Sequence, residues 1–363
     1  MITTALSEAF GQYTLKPHQI VPLDFHSVDT LPETHVWPPP PGPELENTAA
    51  GDGQLVFPVP VIDFSVPEDS AGKLMVEACE TWGVFQLVNH GIPLEILAAV
   101  EAQTKRLFAL PASRKLEALR SPNGVNGYGQ ARFASLFDKN MWNEGFTIMG
   151  SPADHARKLW PDDYQGFCDV IEDYQKRMRE LAARLLGLIL RSANTAEQEI
   201  RRISSPSATM TTLQLNSYPP CPDPTRAMGM APHTDTSFLT LLYQGGVKGL
   251  QIFSDRGGGG GGGGWGMVDP VDGGITVNVG DLLHVVSNAR FHTARHRVVL
   301  REARQRVSVG LFFVPTPDCI LSPLACGGGG GEGEVCRYRA VSVKEYIGLK
   351  YKGFETVLSA ITK

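Results

Sequence analysis

The 363-residue sequence is short of charge imbalance, patterned cysteine and long apolar runs, and each shortage removes a class of function. Lys and Arg number 33 against 38 Asp and Glu, with a pI near 6.0, so there is no polyelectrolyte face for nucleic acid or an anionic membrane. The six cysteines, Cys79, Cys168, Cys221, Cys319, Cys326 and Cys336, form no CxxC pair and no regular spacing, which argues against a zinc knuckle or a disulfide framework. The most apolar helical stretch, 181–190, is broken by Arg184, and the opening MITTALSEAFGQYTLK has no basic segment followed by an apolar one. No GKS or GKT follows the glycine tracts at 257–264 and 327–331, so neither reads as a phosphate loop. The expectation is a protein of a reducing, cytoplasmic compartment whose partner is a small molecule; a monomer is expected, although the sequence does not reveal oligomeric state.

Along the chain, residues 1–57 read as an N-terminal extension in which the proline run 37–43 enforces extended backbone and 40–54 forms a flexible link. Residues 58–205 read as a mixed α/β region. VPVIDF is a strand, 71–81 a helix, VFQLVNHG a second strand, and Pro93 opens a helix to about Leu107. A long scaffold helix over 167–192 follows from Val170, Ile171, Tyr174, Met178, Leu181 and Leu185 at three- and four-residue steps. Residues 206–320 then change character. TTLQLNSY, FLTLLY, GLQIF, WGMVDP, GITVNVGDLLHVV, TARHRVVL and RVSVGLFFV are candidate strands, with the first glycine tract at a hairpin tip. This spacing predicts a mainly β fold with flanking helices and a jelly-roll core, followed by a loop and helix over 321–363.

His233-Thr234-Asp235 places an imidazole and a carboxylate two residues apart, where an extended strand projects both to one face. His296 is the leading third ligand. Two histidines and a carboxylate on one face leave the opposite positions open, which is the Fe(II) oxygenase arrangement. Arg306 and Ser308 are another i, i+2 pair, able to present a guanidinium and a hydroxyl to one carboxylate, and Tyr218 adds a third donor. The competing readings are a surface charge for Arg306 and a core aromatic for Tyr218. His292 lies four residues before His296, but without HExxH or a helix it is not assigned to metal; His284 reads as structural and His90 as a turn residue.

The order NSYPPCPDP (216–224), HTD (233–235), GLQIF (249–253), VNVGD (277–281), HRV (296–298) and RVS (306–308) resembles the plant 2-oxoglutarate-dependent dioxygenases. VIDF and WGVFQLVNHG match as well. Within that family LPETHVWP (31–38), GYGQARFASLFDKNMWNEGFTI (127–148) and RKLWP (157–161) are most similar to the gibberellin 3-oxidases, while the glycine tracts depart from the pattern. The resemblance implies a double-stranded β-helix core, with iron at His233, Asp235 and His296. It implies 2-oxoglutarate held by Arg306, Ser308, Tyr218 and Asn216, dioxygen as oxidant, and ascorbate as a supporting reductant.

The reaction so implied is hydroxylation of a gibberellin, a diterpenoid acid, at C3. An apolar pocket with one cation suits such a substrate. Arg132 is the candidate cation, and Phe133, Phe137, Met141 and Trp142 the candidate apolar wall. Rival readings are the same chemistry at another gibberellin carbon or on a flavonoid, a non-catalytic jelly-roll binding protein, and a zinc hydrolase, which lacks an evident general base.

Overall fold

The apolar alternation of LQLNSY and VSVGLFFV produces the two longest strands, Thr209–Tyr218 and Arg306–Pro315, which pair antiparallel over their whole length. The computed structural model describes residues 13–38, 56–255, 263–301, 304–324 and 335–363. In chain order its first half is β1 (Val61–Asp63), α1 (Glu68–Thr81), β2 (Val84–Val88), α2 (Leu94–Phe108), α3 (Ala112–Leu116), β3 (Gly127–Gly129), β4 (Glu144–Ile148), α4 (Ala153–Leu159), α5 (Gln165–Ser192) and α6 (Glu197–Ser204). There follow β5 (Thr209–Tyr218), β6 (Met230–His233), β7 (Leu239–Tyr243), β8 (Leu250–Ser254), β9 (Gly264–Met267), β10 (Ile275–Val279) and α7 (Asp281–Val286). The chain ends with β11 (His296–Val298), β12 (Arg306–Pro315), β13 (Ile320–Leu321), β14 (Val341–Ser342) and α8 (Val343–Lys352).

Eight strands form one sheet in the order β1-β2-β10-β7-β12-β5-β4-β3, and four form a second in the order β6-β11-β8-β9. All pairs are antiparallel except β1 with β2, so strands from the first half of the chain complete the sheet built by the second. The fold is a double-stranded β-helix with flanking helices. Helix α5 buries Phe167, Ile171, Tyr174, Met178, Leu181, Leu185 and Ile189 on one stripe and packs against α1, α2 and β12. Each such side chain contributes about 1.5–3 kcal/mol by leaving water. None of the described helices is long and apolar enough to cross a membrane.

Two strand expectations are corrected. DLLHVV is not a continuation of β10 but the short helix α7, which buries Leu282, Leu283, Val285 and Val286 at helical spacing. The β-branched residues mask that spacing in the sequence, and the helix is set by Asp281 N–H donating to the Asp235 carbonyl at 2.8 Å. TARHRVVL is a strand only over His296–Val298, where it lies between β6 and β8. The first glycine tract does connect two paired strands, β8 and β9, but most of it, like the second tract and the 40–54 link, lies outside the described residues. Cys79, Cys168, Cys221 and Cys319 are free thiols, whereas Cys336 is disulfide-bonded, a link its irregular spacing concealed.

Candidate active site

His233 closes β6 and His296 opens β11. The two strands pair with these residues directly opposed, and the ring centroids are 4.1 Å apart. Asp235 Oδ1 lies 3.7 Å from His233 Nε2 and 3.8 Å from His296 Nε2. All three side chains are buried, with ligand atoms within 4.8 Å of one another. His233 Nδ1 is 2.8 Å from the Ala231 carbonyl and His296 Nδ1 is 2.9 Å from the Ala294 carbonyl. A carbonyl only accepts, so each ring carries its proton on Nδ1 and presents the Nε2 lone pair to the same point.

Burial, reinforced by the neighbouring His296, pushes the His233 pKa down to about 3, so this ring is neutral at pH 7. Burial alone raises the pKa of Asp235, but His296, His233 and a hydrogen bond from Thr240 outweigh it and hold the carboxyl below its ordinary range. Asp235 Oδ2 has no hydrogen-bond partner. A buried carboxylate with an idle oxygen, facing two imidazole lone pairs, is a donor set that fits a divalent transition metal.

The four residues expected to hold the co-substrate form two rungs of one ladder, with the Val307–Ser217 rung between them: Arg306 pairs with Tyr218, and Ser308 with Asn216. The Tyr218 hydroxyl hydrogen-bonds with Ser308 and Arg306. Arg306 is 3 % exposed and lies 4.9 Å from the centre of the Tyr218 ring. Its Nε donates to the Val247 carbonyl at 3.1 Å, while Nη1 has no partner. Burial lowers its pKa, partly offset by Tyr218. An orphaned guanidinium nitrogen in a buried bay fits a carboxylate, because leaving that donor unmatched costs about 1–3 kcal/mol or more. Room for this side chain comes from Gly249 of the GLQIF segment, where a Cβ would lie 3.0 Å from Arg306 Cδ and 2.9 Å from the Val299 carbonyl.

A cavity of about 290 Å³ reaches His233 and Asp235. Two of the five expected substrate residues line it. Phe133 stacks on the His233 ring at 4.8 Å and on Phe354 at 5.8 Å. Arg132 also lines it, with its guanidinium donating to the carbonyls of Pro122, Gly124 and Tyr13 at 3.1, 2.8 and 2.7 Å. The other three sit behind the lining. Phe137 packs between Phe133, Phe354 and Trp37. Met141 Sδ accepts from Ala231 N–H at 3.4 Å, and Trp142 is fully buried, donating from Nε1 to the Pro219 carbonyl at 3.1 Å and packing against Phe25. Met141 thereby braces β6, which ends at His233, and Trp142 the turn after β5.

A buried network lies beside the backbone that carries His233 and Asp235, and the sequence shows no direct sign of it. Lys350 Nζ donates to the Thr234 carbonyl at 2.8 Å and to Asp281 Oδ2 at 2.6 Å, and Thr293 donates to Asp281 Oδ1 at 2.9 Å. Thr234 lies between His233 and Asp235, so this network fixes the loop that carries them. Its signal was Lys350 sharing the Val343–Ile347 stripe of α8, an unusual place for a lysine unless an acid meets it. His284 and His90 are structural: His284 Nδ1 lies 2.6 Å from the Phe291 carbonyl, and His90 Nε2 lies 2.8 Å from that of Gly273.

Comparison with known proteins agrees with this geometry. Residues 210–315 match the 2OG-Fe(II) oxygenase superfamily, and residues 59–163 match the N-terminal region described as non-haem dioxygenase in morphine synthesis. The chain is 42% identical to gibberellin 3-beta-dioxygenase 1 of Pisum sativum, covering 98% of this chain and 93% of the relative. Identity to gibberellin 3-beta-dioxygenase 1 of Arabidopsis thaliana is also 42%, covering 95% and 94%. The crystal structure of JOX2 in complex with 2OG, Fe and JA superposes with a TM-score of 0.74 at 23% identity, covering 93% of this chain and 95% of that one, which speaks to the fold. With that fold, that site and those relatives, the chain belongs to the 2OG-Fe(II) oxygenase superfamily.

Proposed function

We propose that this protein is a gibberellin 3-beta-dioxygenase, an Fe(II)- and 2-oxoglutarate-dependent enzyme that hydroxylates a gibberellin at C3 in hormone biosynthesis. The observation that carries this reading is 38–42% identity to gibberellin 3-beta-dioxygenases over 89–98% of the chain. His233, Asp235 and His296 hold the iron in this reading, and Arg306, Ser308, Tyr218 and Asn216 take the far carboxylate of 2-oxoglutarate. When bound, iron and co-substrate supply oxidative decarboxylation to succinate and carbon dioxide coupled to hydroxylation of an unactivated C–H bond.

The chain's own contribution is position and dryness. The Nδ1–carbonyl bonds fix both imidazoles in the tautomer that donates from Nε2. Phe133, stacked on His233, forms wall immediately beside the metal, and the cavity determines which carbon is presented. We propose that it acts as a monomer in the cytoplasm, which size-exclusion chromatography and localisation of a tagged protein test.

The deciding experiment incubates purified protein with Fe(II), ascorbate, 2-oxoglutarate and a gibberellin lacking the 3-hydroxyl, with product identification by mass spectrometry. A 3-beta-hydroxylated product formed together with succinate is expected. Hydroxylation at another carbon, or turnover of a flavonoid but of no gibberellin, overturns the reading.

A further inference from the structure

Buried cations in this protein differ in whether the chain supplies them with an acid. Lys115 Nζ is 2.6 Å from Glu144 Oε2, which also accepts from the Tyr128 hydroxyl at 2.7 Å, and Lys350 is likewise paired with Asp281 at 2.6 Å. Arg306, in the proposed co-substrate bay, meets no acid among the described residues. Arg120 resembles Arg306: it is 3 % exposed, Nη2 donates to the Gln130 carbonyl, and Nε is buried without a partner. Among the described residues, the ionisable groups that act on its charge are Arg132 and Tyr351, and neither is a carboxylic acid. Desolvating a guanidinium beside a second one, without an anion, is costly, and an arriving carboxylate offsets that cost.

Arg120 and Tyr351 both line the cavity that reaches His233 and Asp235. Met149, Met210, Phe312, Val314 and Ile347 supply apolar lining to the same cavity. The Tyr351 hydroxyl is hydrogen-bonded with Arg132, whose charge adds to the local field. We infer that Arg120, with the Tyr351 hydroxyl beside it, forms the carboxylate-binding corner of the substrate cavity and selects apolar polycyclic acids over their neutral counterparts.

The local chain is shaped to hold that corner. Gly127 has φ +111°, and a Cβ there would sit 2.5 Å from the Ala118 carbonyl, so only glycine lets β3 run against the segment bearing Arg120. Arg120 N–H in turn donates to the Tyr128 carbonyl at 2.9 Å. Burial, followed by the proximity of Arg132, lowers the Arg120 pKa to about 10, which leaves it charged at neutral pH. Tyr351 follows Lys350 on α8, and Lys350 grips Thr234 between two of the proposed iron ligands. One helix therefore links the carboxylate corner to the metal loop, so anchoring the acid also sets which carbon faces the metal.

The inference rests on the proposed gibberellin reading only for the identity of the acid. Its test is calorimetric titration of the full chain, loaded with Fe(II) and 2-oxoglutarate in the absence of oxygen. The probes are a gibberellin acid and its methyl ester, and an unrelated tricyclic diterpenoid acid and its ester. The wild type is expected to bind an acid at least about tenfold more tightly than its ester, and Arg120→Gln to weaken acid binding roughly 10–100-fold while changing ester binding less than about twofold. Arg120→Lys keeps the charge and loses less; Tyr351→Phe loses about threefold, again on the acid alone. Melting temperature and 2-oxoglutarate affinity report whether each variant is folded.

Equal wild-type affinity for acid and ester overturns the site, as does a folded Arg120→Gln that weakens both alike. If Arg120→Gln does not fold, Arg120→Lys and Tyr351→Phe decide on the same acid-against-ester criterion. Failure to bind either acid also overturns it. Arg120-dependent binding of the unrelated acid without any gibberellin binding keeps the site and removes the hormone reading; gibberellin turnover with no acid preference does the reverse.

Discussion

The proposed co-substrate bay and the proposed substrate cavity each hold a buried arginine that meets no acid among the described residues, yet they are built from different kinds of chain. Arg306, Ser308, Tyr218 and Asn216 stand on two rungs of the β5–β12 ladder, the longest pairing in the protein. Arg120, Phe133, Tyr351 and Phe354 come from a loop, a 3₁₀ turn, the end of α8 and the segment after it. A sheet fixes side chains by backbone hydrogen bonds and tolerates little change, which suits a co-substrate that never varies. Irregular segments tolerate changes of length and shape, which suits the part that selects a substrate.

The largest effect is expected at the metal, where both regions meet. Asp235→Ala removes the carboxylate of the cluster and leaves two imidazoles. Iron binding by metal analysis should be lost and succinate formation should fall by roughly a thousandfold or more, since a bound metal supplies several kcal/mol of the catalytic effect. Retained succinate formation would reject the ligand assignment.

Next comes the support shared by both regions. Lys350→Met strands Asp281 in the interior, and breaking a buried pair from one side costs about 3–5 kcal/mol, read as a lower denaturation midpoint. The double variant Lys350→Met with Asp281→Leu should recover part of that loss, because the stranded charge is gone. An additive double variant would show that the pair is not energetically coupled.

The same division explains what the sequence disclosed. Arg306 and Ser308 are an i, i+2 pair within β12, so strand geometry alone put them on one face; His233 and Asp235 have the same spacing, but β6 ends at His233 and Asp235 lies just beyond it, and family resemblance joined the two pairs into one site. Helix α5 was legible within two residues because its apolar stripe repeats for seven turns. The corner at Arg120 was not legible. Whether a buried cation has an acid is decided by residues far along the chain: Glu144 lies 29 positions from Lys115 and Asp281 lies 69 from Lys350. For the same reason the resemblance of the whole 127–148 segment assigned Met141 and Trp142 to the cavity wall, although the chain turns their side chains toward β6 and Pro219.

Arg306→Met tests the rigid region directly. Removing charge-assisted donors to a carboxylate costs about 1.5–3 kcal/mol, so KM for 2-oxoglutarate should rise roughly 10–100-fold with substrate affinity unchanged. A shift in gibberellin affinity of the same size would mean that the two bays are not separable.

The smallest effect should come from Trp142→Phe. If Trp142 were cavity wall, shortening it would alter the space offered to the substrate and change KM or the position of hydroxylation. The observed contacts predict otherwise: the indole is fully buried among Phe25 and His35, and its Nε1–H satisfies the Pro219 carbonyl. Phenylalanine keeps the ring packing in part and loses that one hydrogen bond, which is worth about 1 kcal/mol. Chemical denaturation should therefore show a small loss of stability while KM for the gibberellin and the product spectrum stay as in the wild type. A changed product would place Trp142 back in the substrate region and move the boundary between the two regions to the turn after β5.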